Sequence, residues 1–150
     1  MPVNNRLFWA CEAVGFSQDG QYNFTKAHGV QSVGFTTTLN LEPTFEVGEI
    51  KLYQNVENIP DVEMTMQKVL DGYPPLYTLA TQGAASASLT GRGNVRCIAS
   101  LSLFPDTNNS ASGVPVSQLV ASGLYPSSLS YTFPVDGNCT EDITLIGNNA

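Results

Sequence analysis

The chain has 150 residues, of which 42% are hydrophobic and only 13% are charged, and its formal net charge at pH 7 is −7. A hydrophobic share of this size excludes a disordered chain, and the length predicts one domain over residues 1–150. Six basic residues in an acidic chain are unlike the composition of a protein that binds nucleic acid through a basic surface.

Alternation of apolar and polar residues, which is typical of β-strands, starts in the first half of the chain. Residues 7–16 are apolar on both faces and predict a buried strand, and residues 33–39 predict the next one. Residues 45–52 predict a single strand that Gly48 interrupts at a bulge. Residues 62–67 alternate clearly and predict a further strand.

The second half of the chain carries the clearest strand patterns. Residues 94–104 alternate over their whole length, and Ile98 on the opposite face predicts that this face is covered as well. Residues 129–135 and 140–146 flank the dipeptide Asp136-Gly137. Because both residues of this dipeptide accept positive φ, the pattern predicts a β-hairpin.

Helix is scarce in this sequence. Residues 76–81, which follow two prolines, predict one or two helical turns, and residues 116–121 are compatible with a short helix or a strand. Long neutral loops are predicted at residues 17–30, 82–88 and 105–114. With seven to nine strands, we predict an all-β fold: a β-sandwich or β-barrel with long loops and at most one or two short helices.

No pattern in the sequence predicts an enzyme. His28 is the only histidine and lies in a predicted loop without neighbouring metal donors, so we assign it no catalytic or metal-binding role. Gly91-Arg92-Gly93 lacks the lysine and the frame of a phosphate loop. Glu42, Glu46 and Glu49 have no aromatic sugar platform beside them, so an acidic strand edge is the better interpretation than a glycosidase pair. We therefore predict no cofactor.

The cysteines and the first residues bear on the compartment. Cys11, Cys97 and Cys139 are odd in number and widely spaced, which argues against a disulfide framework. No secretory leader is recognisable at Met1, and no apolar run is long enough to span a membrane. Synthesis in a reducing cytoplasm, without membrane association, is the resulting expectation.

Two stretches resemble a known family. Residues 48–81 read GEIKLYQNVENIPDVEMTMQKVLDGYPPLYTLAT, and residues 127–149 read SSLSYTFPVDGNCTEDITLIGNN. Both resemble the tail tube and related virion structural proteins of tailed phages, and residues 28–33, HGVQSV, fit the same pattern. Together these stretches cover less than half of the chain.

The resemblance implies a β-sandwich subunit of the virion that is assembled in the host cytoplasm. It implies hexameric rings that stack into a hollow tube, in which the sheets of neighbouring subunits join into one barrel, and an extended loop that reaches the next ring. The implied partners are copies of the same chain, other tail or head–tail proteins, and double-stranded DNA as transient, non-specific cargo. An acidic wall would repel passing DNA instead of retaining it.

Two sets of residues are candidates for these roles. The lumen-facing acidic candidates, chosen because they lie on polar strand patterns, are Glu46, Glu49, Glu63, Glu141 and Asp142. The ring-to-ring candidates lie in the loops at residues 17–30 and 105–114, and in the second loop they are Asp106, Thr107, Asn108, Asn109 and Ser110.

Other functions remain open at this stage. A capsid decoration protein or a head–tail connector would have the same low-charge β composition. A lectin-like β-sandwich binding module is a further alternative; it would need exposed aromatic residues or a calcium loop, and the sequence has no Asp-rich loop of that kind.

Overall fold

The computed structural model describes residues 12–82, 91–104 and 114–148. Within these residues, nine strands, one short α-helix and one 3-10 turn at Arg92–Asn94 follow one another. The strands are β1 (Glu12–Gln18), β2 (Thr25–Lys26), β3 (Val30–Thr38), β4 (Leu41–Phe45), β5 (Leu52–Glu57), β6 (Asp61–Val69), β7 (Cys97–Leu103), β8 (Ser117–Thr132) and β9 (Thr140–Gly147), and the helix α1 is Leu76–Ala80. The predicted all-β fold is confirmed, with 57% of the described residues in strands.

Seven strands form one antiparallel sheet in the order β2-β1-β7-β8-β9-β6-β3. Strand β8 is 16 residues long and belongs to two halves of this sheet. Its residues 117–124 pair with β7, and its residues 125–132 pair with β9 on the other side. We call β2, β1, β7 and residues 117–124 the β1 half, and residues 125–132, β9, β6 and β3 the β3 half.

A glycine marks the corner at which β8 passes from one half to the other. Gly123 has a φ of +65°, a conformation that side chains with a Cβ rarely adopt. The register shifts between Cys97 and Ala99 on one side of the corner, and between Pro126 and Ser128 on the other. Such irregularities bend a strand, and here they allow the two halves to fold towards each other.

One hydrophobic core lies between the two halves and α1. Its largest fully buried side chains include Phe16 of β1, Met64 of β6, Leu76 of α1, and Leu145 of β9. Burying an apolar side chain of this size stabilises the fold by about 1.5–3 kcal/mol. Ile98, on the opposite face of β7, is also buried, as its pattern predicted.

The interpretation of residues 45–52 as one strand with a bulge was wrong. Residues 41–57 form a separate two-stranded hairpin, β4 and β5, with the turn around Gly48. This hairpin, which we call the arm, extends from the ends of β3 and β6 that lie next to each other. The register pairs Thr38 with Asp61, so the arm leaves the sheet at the edge strand β3 and at its neighbour β6.

Other predicted elements are confirmed. Of residues 116–121, which had two interpretations, 117–121 belong to strand β8, and residues 76–80 form the helix α1. Part of the predicted buried strand at residues 7–16 lies outside the described residues, and the described part is β1. None of the described helices is long and apolar enough to cross a membrane.

Candidate assembly surfaces

The β3 half of the sheet ends in two edges that no described strand pairs with. One edge is β3, and the other is the side of residues 125–132 that faces away from β9. Neither β3 nor β8 contains a charged residue. The inner strands β6 and β9 carry the charges of this half, which are Asp61, Glu63, Lys68, Glu141 and Asp142.

This distribution of charged residues, on the inner strands and not on the edges, is the reverse of the one usual in monomeric proteins. Edge strands of monomeric proteins are usually protected by charged side chains, above all lysine, because an open edge pairs readily with another chain. Here the edges are uncharged and rich in Ser, Thr and Gln. The β3 half therefore has two edges that are open to pairing with further strands.

The outward face of the β3 half is polar and anionic. Val62, Met64 and Met66 of β6 point into the core, so Glu63 and the residues that alternate with them point outwards. On β9 the buried residues are Glu141, Ile143 and Leu145, which places Asp142 on the outward face. The outward residues of β6 and β9 pair across the ladder as Glu63–Ile146, Thr65–Thr144 and Gln67–Asp142.

The structure separates the five lumen-facing candidates into three groups. Glu63 and Asp142 share the outward face of the β3 half, as described above. Glu46 and Glu49 lie at the turn of the arm, where the amide of Glu49 donates to the carbonyl of Glu46. Glu141 is fully buried, so its assignment to a polar face was wrong. The physical reason is that neighbouring residues of a strand point to opposite faces, so Glu141 and Asp142 cannot share one.

Glu141 has a structural role at the start of α1. Its Oε2 accepts a hydrogen bond from the amide of Leu76 at 2.8 Å, and its Oε1 accepts from the amide of Tyr77 at 3.1 Å and from the hydroxyl of Tyr131 at 3.1 Å. The first amides of a helix have no partner within the helix and attract negative charge. A carboxylate of β9 therefore fixes α1 and β8 at one point.

A buried lysine lies beside this carboxylate in the sheet. Lys68 of β6 is fully buried and occupies the position opposite Glu141 in the β6–β9 ladder. Its Nζ donates to the carbonyl of His28 at 2.6 Å and to Oδ1 of Asp71 at 2.8 Å. Buried charges are tolerated only when they are paired and hydrogen-bonded, and these contacts satisfy Lys68.

The Lys68 contacts also fix the loop that leads into β3. The ring of His28 stacks on that of Tyr73, with 4.0 Å between the ring centroids. Gly29 has a φ of +74°, and a Cβ at this position would lie 2.8 Å from Oδ2 of Asp71, so only glycine fits. His28 thus has a packing role, and its backbone carbonyl is the group that Lys68 uses.

The environment shifts the pKa of two side chains in this region. The hydrogen bond from Lys68 and the amide of Tyr73 hold the pKa of Asp71 below its ordinary 3.8. Stability from this group is therefore present above pH 3.8 and is lost as the pH falls through the lowered pKa. Burial, with a smaller contribution from Glu141, raises the pKa of Tyr131 to about 12, so its hydroxyl remains a donor at neutral pH.

The arm is the most exposed part of the described chain. Every residue of β4 and β5 is exposed, and so are large apolar side chains along and beside the arm. These side chains are Leu39, Leu41, Phe45, Val47, Ile50, Leu52, Tyr53, Val56 and Ile59. Val47 and Ile50 at the turn are almost wholly exposed, at 102% and 99%. Exposed apolar side chains in this number, on one segment, are typical of a site of protein contact.

Two loops were predicted to carry ring-to-ring contacts, and the structure describes only the first of them. Residues 106–110 lie outside the described part of the chain. The loop at residues 17–30 contains β2, and its buried Ala27 donates a backbone hydrogen bond to Val14 of β1 at 2.8 Å. This part of the loop is held against the sheet and does not project from it. The arm, which the sequence interpretation missed, is the described segment that projects.

The described residues contain no cluster of His, Cys, Asp and Glu that could hold a metal ion. Cys97 and Cys139 are free thiols, and burial raises the pKa of Cys97 to about 12. A thiol with this pKa stays protonated at neutral pH and is a poor nucleophile.

Arg92, in the turn at residues 91–94, donates to the hydroxyl of Thr81 at 3.0 Å and thereby ties this turn to α1.

No family model and no curated protein matches the sequence. Solved structures do match the fold. The SPP1 tail tube matches with a TM-score of 0.64 at 10% identity, over 94% of this chain and 75% of that chain. A chain of the anti-feeding prophage cap, which terminates a tube, gives 0.63 at 13%, over 99% and 91%. A chain from the sheath–tube complex of PVC, an extracellular contractile injection system, gives 0.62 at 13%, over 96% and 88%.

The similar structures extend over nearly the whole described chain at identities far below those that indicate a shared activity. What they establish is the architecture. The chain has the fold found in tail tube and tube cap assemblies.

Proposed function

We propose that this protein is a structural virion subunit of a tail tube, which assembles with copies of itself into stacked rings. The observation that carries the proposal is the pair of uncharged, unpaired edges on the β3 half, whose inner strands hold the charges. The fold shared with tail tube assemblies supports it. We propose no enzymatic activity.

The two edges suit a ring because they are different from each other. If β3 of one subunit pairs with residues 125–132 of the next, the contact is head-to-tail and each subunit offers one edge of each kind. A head-to-tail contact closes into a ring when its rotation closes. The result is a continuous barrel without free edges, and we propose six subunits for each ring on the basis of the family resemblance.

The outward face of the β3 half is the proposed wall of the lumen. It carries Glu63 and Asp142 among hydroxyl and amide side chains, and the one lysine of its strands, Lys68, points into the core. Duplex DNA would meet short polar groups and negative charge on this wall, without the cations that bind phosphate. DNA is therefore proposed as cargo that passes and does not bind.

The arm is the proposed contact with another subunit outside the ring plane. It leaves the β3 half at the ends of β3 and β6, along the strand direction, and its apolar side chains are exposed. Two-stranded ribbons are at best marginally stable in water, so the arm needs a surface to pack on. Stacking of rings through such an arm would generate a filament.

Imaging of the purified protein tests the proposal. We expect rings or stacked tubes by negative-stain electron microscopy, and concentration-dependent assembly in analytical ultracentrifugation. Single rings that do not stack would favour a connector or a tube cap, and trimers a capsid decoration protein. A protein that stays monomeric at all salt and protein concentrations contradicts assembly as its function.

The position of the lumen has its own test. In tubes that carry Glu63→Lys and Asp142→Lys, we expect a short DNA duplex to be retained at low salt, whereas wild-type tubes release it. Co-sedimentation of labelled duplex with tubes measures this.

The matched control changes the net charge equally at the exposed residues Glu12 and Asp19 of the β1 half, with Glu12→Lys and Asp19→Lys, and leaves the arm unchanged. These tubes should retain much less duplex than the Glu63 and Asp142 variant. Equal retention by both variants would show that net charge alone acts and that the outward face of the β3 half is not the wall.

A further inference from the structure

The β3 half has a second projection, at the end opposite to the arm. The last pair of the β8–β9 ladder is Thr132 with Thr140, and residues 133–139 continue past it as a hairpin turn, which we call the tip. At this same end β6 finishes at Val69 and β3 begins at Val30. The arm leaves from the other end of these nine-residue strands, about 26 Å away.

The tip exposes apolar side chains that are held in place. Phe133 is 69% exposed, and Val135 is 99% exposed. The ring of Phe133 stacks on that of Tyr131 with 6.3 Å between the centroids, and the hydroxyl of Tyr131 donates to the buried Glu141 at 3.1 Å. Phe133 therefore lies on a ring that is fixed to the core. A side chain that is already ordered loses less conformational entropy when a partner covers it.

The two projections belong to different strands of the β3 half. The tip joins β8 to β9, whereas the arm joins β3 to β6. At the root of the arm, the amide of Asn58 donates to the carbonyl of Asn40 at 2.9 Å, which keeps the two strands paired from the sheet into the arm. Each projection is thus two strands wide, and the two are displaced sideways from each other by two strands.

This displacement leaves a gap between successive arms of the proposed ring. When subunits pair through their edges, the order β8-β9-β6-β3 repeats, so the period is four strands, or about 19 Å. The arm takes half of each period. Among the described strands none runs alongside the arm in the other half, because β9 ends at Gly147 and β8 turns at Gly123.

The gap has the width of the tip. The tip of a subunit in the next ring would enter it two strands wide, between two arms whose apolar side chains are exposed. The tip also carries little charge. Asp136 is its one charged residue, so two acidic subunits can approach each other there with little repulsion.

We infer that the tip of each subunit packs between two arms of the neighbouring ring, with Phe133 and Val135 against apolar side chains of the arm. The partner is a second copy of this chain. The inference rests on the proposed function, because the gap exists only in a ring of edge-paired subunits. It accounts for apolar side chains at both ends of the β3 half, since each end covers the other. A contact between unlike ends repeats from ring to ring and generates a filament.

Disulfide trapping within assembled tubes tests the contact. One chain carries Val135→Cys and a single arm cysteine, placed in turn at Val47, Ile50 and Leu52, with Cys139→Ser to remove the native thiol of the tip. Tip and arm of one subunit lie about 26 Å apart or more, whereas a disulfide needs Cα atoms within about 7 Å, so a bond can form only between subunits. For at least one arm position, we expect mild oxidation to give a ladder of dimers, trimers and longer chains on a non-reducing gel.

The matched control moves the tip cysteine to another exposed valine. Val116 is 72% exposed and lies in front of β8, in the β1 half. Chains that combine Val116→Cys with the same arm cysteines should give no ladder above the background of the wild type.

Removal of the apolar side chains gives a second measurement. With Phe133→Ser and Val135→Ser, we expect single rings in place of stacked tubes by negative-stain electron microscopy, because the ring edges are unchanged. The control is Tyr22→Ser with Val116→Ser. Tyr22 is 71% exposed and packs on Phe24 with 6.4 Å between the ring centroids, and its loss should leave stacking intact. Stacking that is lost in the control and kept in the tip variant would assign the contact to the loop at residues 17–30.

The outcomes separate this inference from the proposed function. Tubes that form but give no ladder from any arm position, or an equal ladder from the Val116→Cys control, overturn the contact between tip and arm and leave the proposed function standing. A wild-type chain that forms neither rings nor tubes contradicts both. If the serine variant of the tip does not fold, the disulfide ladder alone decides.

Discussion

Replacing Glu141 by Gln is expected to lower the free energy of unfolding of the subunit by about 3 kcal/mol. The carboxylate accepts three hydrogen bonds while fully buried, two of them from the first amides of α1. An amide side chain places an NH₂ group where an acceptor is required, so at least one buried donor loses its partner.

Urea denaturation of the unassembled subunit measures this loss, and Asp142→Asn is its control. Asp142 is the next residue of the same strand, but it lies on the outward face, so its substitution should change stability by no more than about 0.5 kcal/mol. If Glu141→Gln were as small in effect as Asp142→Asn, the carboxylate would not be what fixes α1 to the sheet.

The second large effect concerns the free edge of β3, where one proline should abolish assembly and leave the subunit folded. In an antiparallel pair, alternate residues direct their amides to the partner strand or away from it. Of the neighbours Thr36 and Thr37, which pair with Glu63 and Val62 of β6, one therefore directs its amide to the free edge. Proline at that position removes a donor from the proposed ring contact alone.

We expect one of Thr36→Pro and Thr37→Pro to retain the stability of the wild-type subunit within about 1 kcal/mol and to remain monomeric in sedimentation. The other should be destabilised, because it interrupts the ladder with β6. The corresponding valine variants keep the amide and should assemble. Assembly of both folded proline variants into rings would show that β3 is not a ring edge.

The strands that the sequence predicted well are those whose pattern depends on one buried face. Strand β9 alternates without interruption because one of its faces packs on the core, and β7 alternates although residues on both of its faces are buried. The first half of β8 was ambiguous because Gly123 and Pro126 interrupt its pattern at the corner. A corner of this kind depends on both neighbouring strands, and a single segment does not reveal it.

Two errors at the candidate surfaces have different causes. The arm was missed because its two strands are exposed on both faces, so no buried face imposes a period on Leu41 to Glu57. The error at Glu141 was avoidable. Its position has the same parity as Ile143 and Leu145, which are core residues, and this signal was present in the sequence. The partner of its carboxylate, the start of α1, is 64 residues away and was beyond local patterns.

Strand β8 has a mechanical consequence. Because this one strand supplies backbone hydrogen bonds to β7 and to β9, a force that pulls on the wall of a tube reaches the hydrophobic core along covalent bonds and not through a flexible linker. The two halves of the sheet are therefore expected to rupture together, as a single force peak, when one subunit is stretched from its ends.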